Sequence, residues 1–225
     1  MAEIRGNARE LLVTLGVPAV TVNAVARRMG VSGPALYRYY PSQGELLDAL
    51  RNDFYCELVE TLKSARDRSG AEAPGCRLLA ISRALREWAI THPAEFGCLF
   101  ASRASPEQCT SVVSQTGQAF GQVFLEEFVA IWRSKRFPIP SLEDMDPLLA
   151  EQLQAYSERI GGVLPPEACY VFLSCWMRLY GLLCMEVLGQ IGFAFSNLAP
   201  VYEECLQDLC RLIDVPYDAP ELLAA

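Results

Sequence analysis

Residues 21–40, with the sequence TVNAVARRMGVSGPALYRYY, constrain the fold more than any other stretch of the chain. Thr21 and Ser32 each stand where they can cap the N-terminus of a helix, and Gly30 stands where the first helix must end in a left-handed conformation. The pattern predicts two short helices joined by a tight turn, a helix-turn-helix. An ordinary corner between two helices is the alternative, but it explains fewer of these coincident positions.

The residue types inside this stretch fit two crossing helices. The small Ala26 is expected where the helices approach closely, and the positions expected to point inward are Val25, Met29, Val31 and Leu36. The second helix keeps Tyr37, Arg38 and Tyr39 for its outer face. Such a helix can enter the major groove of DNA, where these side chains reach bases and phosphates.

The net charge of −8 argues against DNA binding until it is divided along the chain. Residues 1–51 hold six arginines against four acidic residues, a balance of +2, so the other residues hold 13 basic and 23 acidic side chains, a balance of −10. Only the N-terminal segment therefore favours a polyanion. With 225 residues, 52% of them hydrophobic, the chain can also form a second, larger core.

Helical periodicity continues on both sides of the motif. A first helix is predicted over residues 3–15, ended by Gly16, and the capping-box spacing of Ser42 and Glu45 predicts a long helix to about residue 68. Later helices are predicted over residues 77–91, from 93, and over 106–134, 147–160, 167–189 and 197–212. The predicted fold class is all-α, with a three-helix N-terminal domain over residues 1–50 and a helical ligand-binding and dimerisation domain over residues 51–225.

Residues 3–50 resemble the N-terminal domain of the TetR family of bacterial transcriptional regulators. The resemblance follows the order Leu11, Gly16, Thr21, Val25-Ala26, Gly30-Val31-Ser32, Leu36-Tyr37, Tyr40-Pro41-Ser42 and Leu46-Leu47. It implies a homodimeric, cytoplasmic repressor that binds a palindromic double-stranded DNA operator until a ligand in the C-terminal body moves the two DNA-binding domains out of register. The DNA-binding residues it implies are Thr21, Ser32, Gly33, Tyr37, Arg38, Tyr39 and Gln43. The family commonly has lysine where this chain has Gln43, so we expect weaker binding to DNA.

Aromatic residues of the body can line a pocket for a small apolar ligand or simply fill a core. The candidate ligand-binding residues are Trp88, Phe96, Phe100, Phe124, Phe128, Trp132, Trp176 and Tyr180. Residues 92–96 and 176–181 also resemble, more weakly, a TetR subgroup named for a Trp-His-Gly motif, with Tyr180 in place of the histidine.

Residues 167–189 form the most apolar segment, and a transmembrane helix is one reading of it. Arg178 and Glu186 interrupt the segment and would be costly in lipid, so a helix buried between subunits is favoured over a membrane span. Together with residues 197–213, this segment is expected to form a four-helix bundle across the two-fold axis of a homodimer.

The titratable residues predict no enzyme, no cofactor and no metal site. His92 is the single histidine, which removes a His-based triad, and a structural position at a helix boundary is expected for it. The nine cysteines contain no CxxC pair and are expected to be reduced, buried and inert. Two alternatives remain open: a redox or metal sensor that uses these cysteines, and a helical dimer that no longer reads DNA.

Overall fold

A computed structural model describes residues 1–70, 73–100 and 112–220 of the chain. Within these ranges the chain forms ten α-helices, two short 3-10 helices and no strand, which confirms the all-α prediction. The α-helices are α1 (Ala2–Leu15), α2 (Val22–Arg28), α3 (Gly33–Tyr37), α4 (Gln43–Arg68), α5 (Pro74–Thr91), α6 (Pro93–Phe100), α7 (Val112–Ser134), α8 (Pro147–Arg159), α9 (Pro166–Val187) and α10 (Ala199–Leu212). The 3-10 helices are Val17–Ala19 and Leu142–Asp144.

Capping residues set most of these boundaries. The Thr21 hydroxyl accepts a hydrogen bond from the Ala24 N–H at 3.1 Å, and the Ser42 hydroxyl accepts one from the Glu45 N–H at 3.1 Å. Gly16 and Gly30 have φ angles of 80° and 69°, in the left-handed region where a residue with a Cβ atom is strained. The predicted ends of α1 and α2 are confirmed at these glycines.

Two of the following details differ from the prediction, and a third falls partly outside the described residues. Helix α5 begins at Pro74 instead of Arg77, because the expected linker ends sooner. Val31 was expected to point inward but is 43% exposed, since its N–H closes the turn on the Ala26 carbonyl while its side chain faces solvent. Helix α7 ends at Ser134 as predicted, whereas its predicted start near residue 106 lies outside the described residues.

Packing divides the chain into two compact units. The first unit is Met1–Thr61 with Glu87–Gly121, and the second is Leu62–Arg86 with Gln122–Ala225. Side chains at the centre of the first core include Leu12, Val25, Leu36, Leu50 and Phe54. The second core includes Ile81, Ile131, Leu164, Leu183 and Tyr202. These units follow from packing alone, and the division of function at residue 50 stays a prediction.

Helix α9 has the length and composition of a membrane-spanning helix, with 22 residues and a mean hydropathy of 1.4 in its most apolar window. One face is buried within the second unit, including Val171, Phe172 and Leu183. Its other face exposes apolar side chains at Tyr170 and Met177. Length and composition alone are weak evidence for a membrane span, because the core helix of a soluble protein passes the same test.

Candidate nucleic-acid interface and ligand pocket

The turn between α2 and α3 brings the two helices close together at Gly33. A Cβ atom placed on Gly33 would lie 2.6 Å from the Asn23 side-chain oxygen, so the absence of a side chain lets Asn23 lie across the start of α3. Ser32 stands at the N-cap of α3 as predicted, but its hydroxyl makes no capping bond. Pro34 has no N–H to offer, and the Ala35 N–H bonds to the Ser32 carbonyl at 3.1 Å.

The outer face predicted for the second helix of the motif is exposed. Leu36 is buried and holds α3 on the core, while Tyr37 and Tyr39 are 43% and 57% exposed and Arg38 is exposed between them. Arg38 and Tyr39 follow the last residue of α3, in the turn that leads to α4. Two aromatic rings and one guanidinium are therefore exposed in succession at the C-terminal edge of α3.

Ion pairing within the protein leaves only part of the N-terminal positive charge available to a ligand. In residues 1–51, all of which the structure describes, four of the six arginines pair with carboxylates: Arg5 with Asp53, Arg9 with Glu57 and Glu95, Arg28 with Glu10, and Arg51 with Asp48. Arg27 and Arg38 are exposed and form no ion pair there. Arg27 was missed from the sequence, although its place in the last turn of α2 was visible.

The remaining candidates for DNA contact stand at the starts of α2, α3 and α4. The Thr21 hydroxyl accepts from the Ala24 N–H and so keeps its own proton for donation to a phosphate oxygen. Gln43 is exposed as the first residue of α4, where a side-chain amide can donate in the same way. Ser32 is exposed and Gly33 half-buried at the start of α3.

Arg9 of α1 is the centre of a polar network within the first unit. Its guanidinium binds Glu57 of α4 at 2.7 Å and Glu95 of α6 at 2.8 Å. Glu57 also accepts a hydrogen bond from the Trp88 indole N–H at 3.1 Å. Burial raises the pKa of Glu57, but the hydrogen bonds from Arg9 and Trp88 outweigh it, so the pKa lies below its ordinary value. One arginine thus joins the first helix of the DNA-binding segment to α4 and α6.

His92 has the structural position expected of it. It lies between α5 and α6, its ring stacks on Trp88 with centroids 5.1 Å apart, and its Nδ1 lies 3.0 Å from the Trp88 carbonyl oxygen. Its Nε2 atom lies 3.7 Å from the Glu57 carboxylate, at the edge of the Arg9 network.

The eight aromatic candidates for ligand binding separate into two groups. Trp88, Phe96 and Phe100 belong to the first unit, where Phe100 packs on Phe96 at 4.8 Å and on Tyr55 at 5.8 Å between ring centroids. Phe124, Phe128, Trp132, Trp176 and Tyr180 belong to the second unit. Trp132 packs on Phe137 at 4.8 Å, and Tyr180 stacks on Trp176 at 6.0 Å.

A pocket of about 430 Å³, including its part open to solvent, lies within the second unit. Phe124, Phe128 and Trp176 line it, so three of the eight aromatic candidates share one cavity. The sequence analysis missed the other lining residues, because periodicity does not show which helices meet. They come from α5, α9, α10 and the C-cap of α10: Leu78, Leu79, Ser82, Phe172, Cys175, Leu179, Leu206, Leu209, Cys210 and Ile213.

Arginines of α5 join that helix to three of its neighbours in the second unit. Arg77 pairs with buried Glu127 of α7 at 2.9 Å. Arg86 binds the Glu186 carboxylate of α9 through two nitrogens, at 2.9 and 2.5 Å. Arg83 binds Glu203 of α10 at 2.8 Å, and the Tyr217 hydroxyl donates to the same carboxylate at 2.8 Å. Helices that form the pocket are therefore held by ion pairs.

The described cysteines are free thiols, and the structure describes every cysteine except Cys109. Cys98, Cys169, Cys175 and Cys210 are buried, which agrees with the expected inert core, whereas Cys56 is exposed and was wrongly expected to be buried. Burial raises the pKa of the Cys175 thiol to about 12 and that of the Cys210 thiol to about 11. Within the described part of the chain, no cluster of three or more metal-ligating side chains occurs.

Alkylation of the folded protein is expected to modify Cys56 before Cys175 and Cys210. A pKa of about 12 instead of 9.0 leaves about a thousandfold less of the reactive thiolate at neutral pH, and burial also blocks the reagent. Iodoacetamide labelling followed by peptide mass spectrometry measures the order, with the unfolded protein as control. Equal labelling of Cys175 and Cys56 in the folded state would support the alternative of a cysteine-based sensor.

Comparison with known proteins identifies the family. A family model described as bacterial regulatory proteins of the tetR family matches residues 4–50, and one described as tetracyclin repressor-like, C-terminal domain, matches residues 78–209. The chain is 29% identical over 199 residues to the HTH-type transcriptional regulator Rv1816 of Mycobacterium tuberculosis, covering 82% of this chain and 79% of the relative.

Solved structures agree with these matches. The crystal structure of the regulatory protein SCO4313 is 30% identical, with a TM-score of 0.69 over 92% of this chain and 93% of the other. Thermus thermophilus FadR, a TetR-family repressor solved with lauroyl-CoA, shares the fold with a TM-score of 0.54 at 17% identity, over 97% of each chain. This chain belongs to the TetR family of DNA-binding bacterial transcriptional regulators.

Proposed function

We propose that this protein is a cytoplasmic, ligand-responsive repressor that binds a palindromic operator as a homodimer and leaves it when a small apolar molecule binds. The observation that carries the proposal is the exposed edge of Tyr37, Arg38 and Tyr39 on a family-typical helix-turn-helix. The exposed rings and the guanidinium between them can reach base edges and phosphates, and no ion pair to that guanidinium occurs among the described residues.

The contacts with DNA divide into two classes. Tyr37, Arg38 and Tyr39 are assigned to the major groove, where they meet base edges and the adjoining phosphates. The second class contacts the phosphate backbone of the DNA and fixes the position of the motif. It consists of Thr21, Ser32, Gly33 and Gln43. Arg27 joins this second class, because its exposed guanidinium can pair with a phosphate.

The homodimer is assigned to α9 and α10. Tyr170, Met177, Met185 and Leu188 are 37%, 63%, 37% and 42% exposed, and their spacing places them along one side of α9 and its C-terminal cap. Two such helices from each subunit can form a four-helix bundle that covers this apolar surface. A two-fold axis then places two recognition helices about 34 Å apart, in successive major grooves.

The ligand is assigned to the pocket between α5, α7, α9 and α10. A molecule that fits one arrangement of these helices better than another shifts the protein toward the arrangement it fits. If the favoured arrangement spaces the two DNA-binding motifs differently, the affinity for DNA falls by linkage. That T. thermophilus FadR was solved with lauroyl-CoA supports a ligand role for proteins of this fold. The raised thiol pKa values at Cys175 and Cys210 weigh against the alternative of a cysteine-based sensor.

Hydroxyl-radical footprinting on genomic fragments retained by the protein tests this proposal. Two protected patches are expected, about one helical turn apart on the same face of the duplex, because a dimer presents two motifs. Sedimentation of the same sample is expected to show two subunits per bound duplex, or a multiple of two. Uniform protection that depends only on the salt concentration would contradict the proposal, since it indicates backbone binding without sequence reading.

A further inference from the structure

The described wall of the pocket in the second unit holds no charged side chain. None of its thirteen described lining residues is ionised at neutral pH, because the two thiols, Cys175 and Cys210, are buried and neutral. The single hydroxyl, on Ser82, donates to the Leu78 carbonyl at 2.8 Å. The Ser82 carbonyl in turn accepts from the Tyr202 hydroxyl at 2.6 Å. The polar atoms of Ser82 are therefore occupied by the protein, apart from the acceptor capacity that remains on its hydroxyl oxygen.

The two arginines that follow the lining residue Ser82 on α5 are held by carboxylates of other helices. Arg83 and Arg86, which follow Ser82 on the same helix, bind Glu203 and Glu186 through two nitrogens each. Neither arginine belongs to the described pocket wall. A ligand carboxylate or phosphate would reach Arg83 or Arg86 only by breaking one of these ion pairs, and a ligand ammonium would reach their carboxylates at the same cost. Arg178 acts on the Cys175 thiol, but it is exposed and lies outside the described pocket wall.

Aromatic rings of the wall already meet one another edge to face. Phe124 and Trp176 have centroids 5.4 Å apart at 77°, and Phe128 and Phe172 have centroids 5.0 Å apart at 74°. Another ring entering the pocket can continue this arrangement, because the positive edge of one ring meets the negative face of the next. A saturated chain gains only dispersion and burial at the same wall.

We infer that the ligand is an electrically neutral aromatic molecule, with at most one hydrogen-bond donor directed at the Ser82 hydroxyl, and that organic ions of the same size are excluded. The inference rests on the proposed function, because it takes this pocket to be the effector site. The exclusion follows from desolvation, since a charge transferred into the pocket loses its water and finds no charged partner among the described lining residues.

Four probes of similar size test the inference on the full-length protein at pH 7. They are 4-phenylbutan-1-ol, its carboxylate analogue 4-phenylbutanoate, its ammonium analogue 4-phenylbutan-1-amine, and the saturated decan-1-ol. Binding is followed by quenching of tryptophan fluorescence. A W176F variant is the matched control, because it keeps a ring at the pocket and removes only the tryptophan whose indole lines it. Protection from thermal unfolding provides a second readout that does not depend on fluorescence.

The expected result is that the aromatic alcohol binds at least tenfold more tightly than either ion and more tightly than decan-1-ol. In W176F the quenching is lost, because the indole that lines the pocket is gone. An ion within tenfold of the alcohol overturns the exclusion of charge, and decan-1-ol binding as tightly overturns the preference for a ring; both leave the proposed function intact. If no probe binds, the inference and the ligand part of the proposed function both fail, while DNA binding is judged separately by footprinting.

Discussion

Replacing Tyr37 and Arg38 together by alanine is expected to lower the affinity for the operator by at least about 100-fold while leaving the fold unchanged. A good base contact contributes about 1–3 kcal/mol, the double variant removes two side chains from each subunit, and every 1.4 kcal/mol is a factor of ten. Both side chains are exposed, so their loss does not open the core. Fluorescence anisotropy with a labelled duplex at one fixed salt concentration measures the change.

Two arginine variants provide controls for that experiment. Arg27→Ala is expected to weaken binding to all sequences alike and to flatten the salt dependence, because Arg27 is assigned to a phosphate. Arg133→Ala removes the same charge from an exposed position near the end of α7, outside the motif, and is expected to leave the affinity unchanged. If the Tyr37 and Arg38 variant binds like the Arg133 variant, the helix-turn-helix does not read DNA.

Replacing Arg9 by methionine is expected to lower the free energy of unfolding by about 2–4 kcal/mol, because it leaves the buried Glu95 carboxylate without its ion pair. Glu95 has a side chain that is 4% exposed, whereas Arg9 is 33% exposed, so the loss falls below that of a fully buried pair. Urea unfolding of the wild type and the variant, followed by circular dichroism, measures the difference.

A second substitution at Glu95 identifies the cause of that loss. The double variant Arg9→Met with Glu95→Gln is expected to be more stable than Arg9→Met alone, because glutamine carries no charge to leave unpaired. A stability change under 0.5 kcal/mol in Arg9→Met would contradict the central role given to this network.

The wild type is also expected to lose stability as the pH falls below about 4.5. The pKa of Glu57 is lowered in the folded protein, so its carboxylate stabilises the fold above that pH and no longer does so once it is protonated.

Local signals in the sequence predicted the helix-turn-helix closely. The Thr21 cap and the positive φ angles of Gly16 and Gly30 are properties of a few adjacent residues, and they were readable without knowledge of the rest of the fold. The predictions that failed in this motif concern the burial of Val31 and the cap at Ser32, and both depend on hydrogen bonds to neighbouring residues. Val31 faces solvent while its N–H closes the turn. The Ser32 hydroxyl makes no cap, since Pro34 lacks a donor and the Ala35 N–H bonds to the Ser32 carbonyl.

The polar network and the pocket could not be predicted, because both depend on which helices meet. Arg9 finds Glu57 and Glu95 across 48 and 86 positions in the chain. Periodicity marks Phe100 and Phe124 alike as inward-facing, yet the first packs on Tyr55 in one unit and the second on Trp176 in the other. A pattern of apolar residues shows that a face is covered and does not show by what.

Selection of the purified protein against a random duplex library, at one moderate salt concentration and with sequencing of the bound pool, tests the central claim most directly. A pseudo-palindrome is predicted, with half-sites separated by about one helical turn and no enrichment for the Tyr37 and Arg38 variant. A folded dimer that enriches no motif from the same library would contradict the claim that the edge formed by Tyr37, Arg38 and Tyr39 reads DNA sequence.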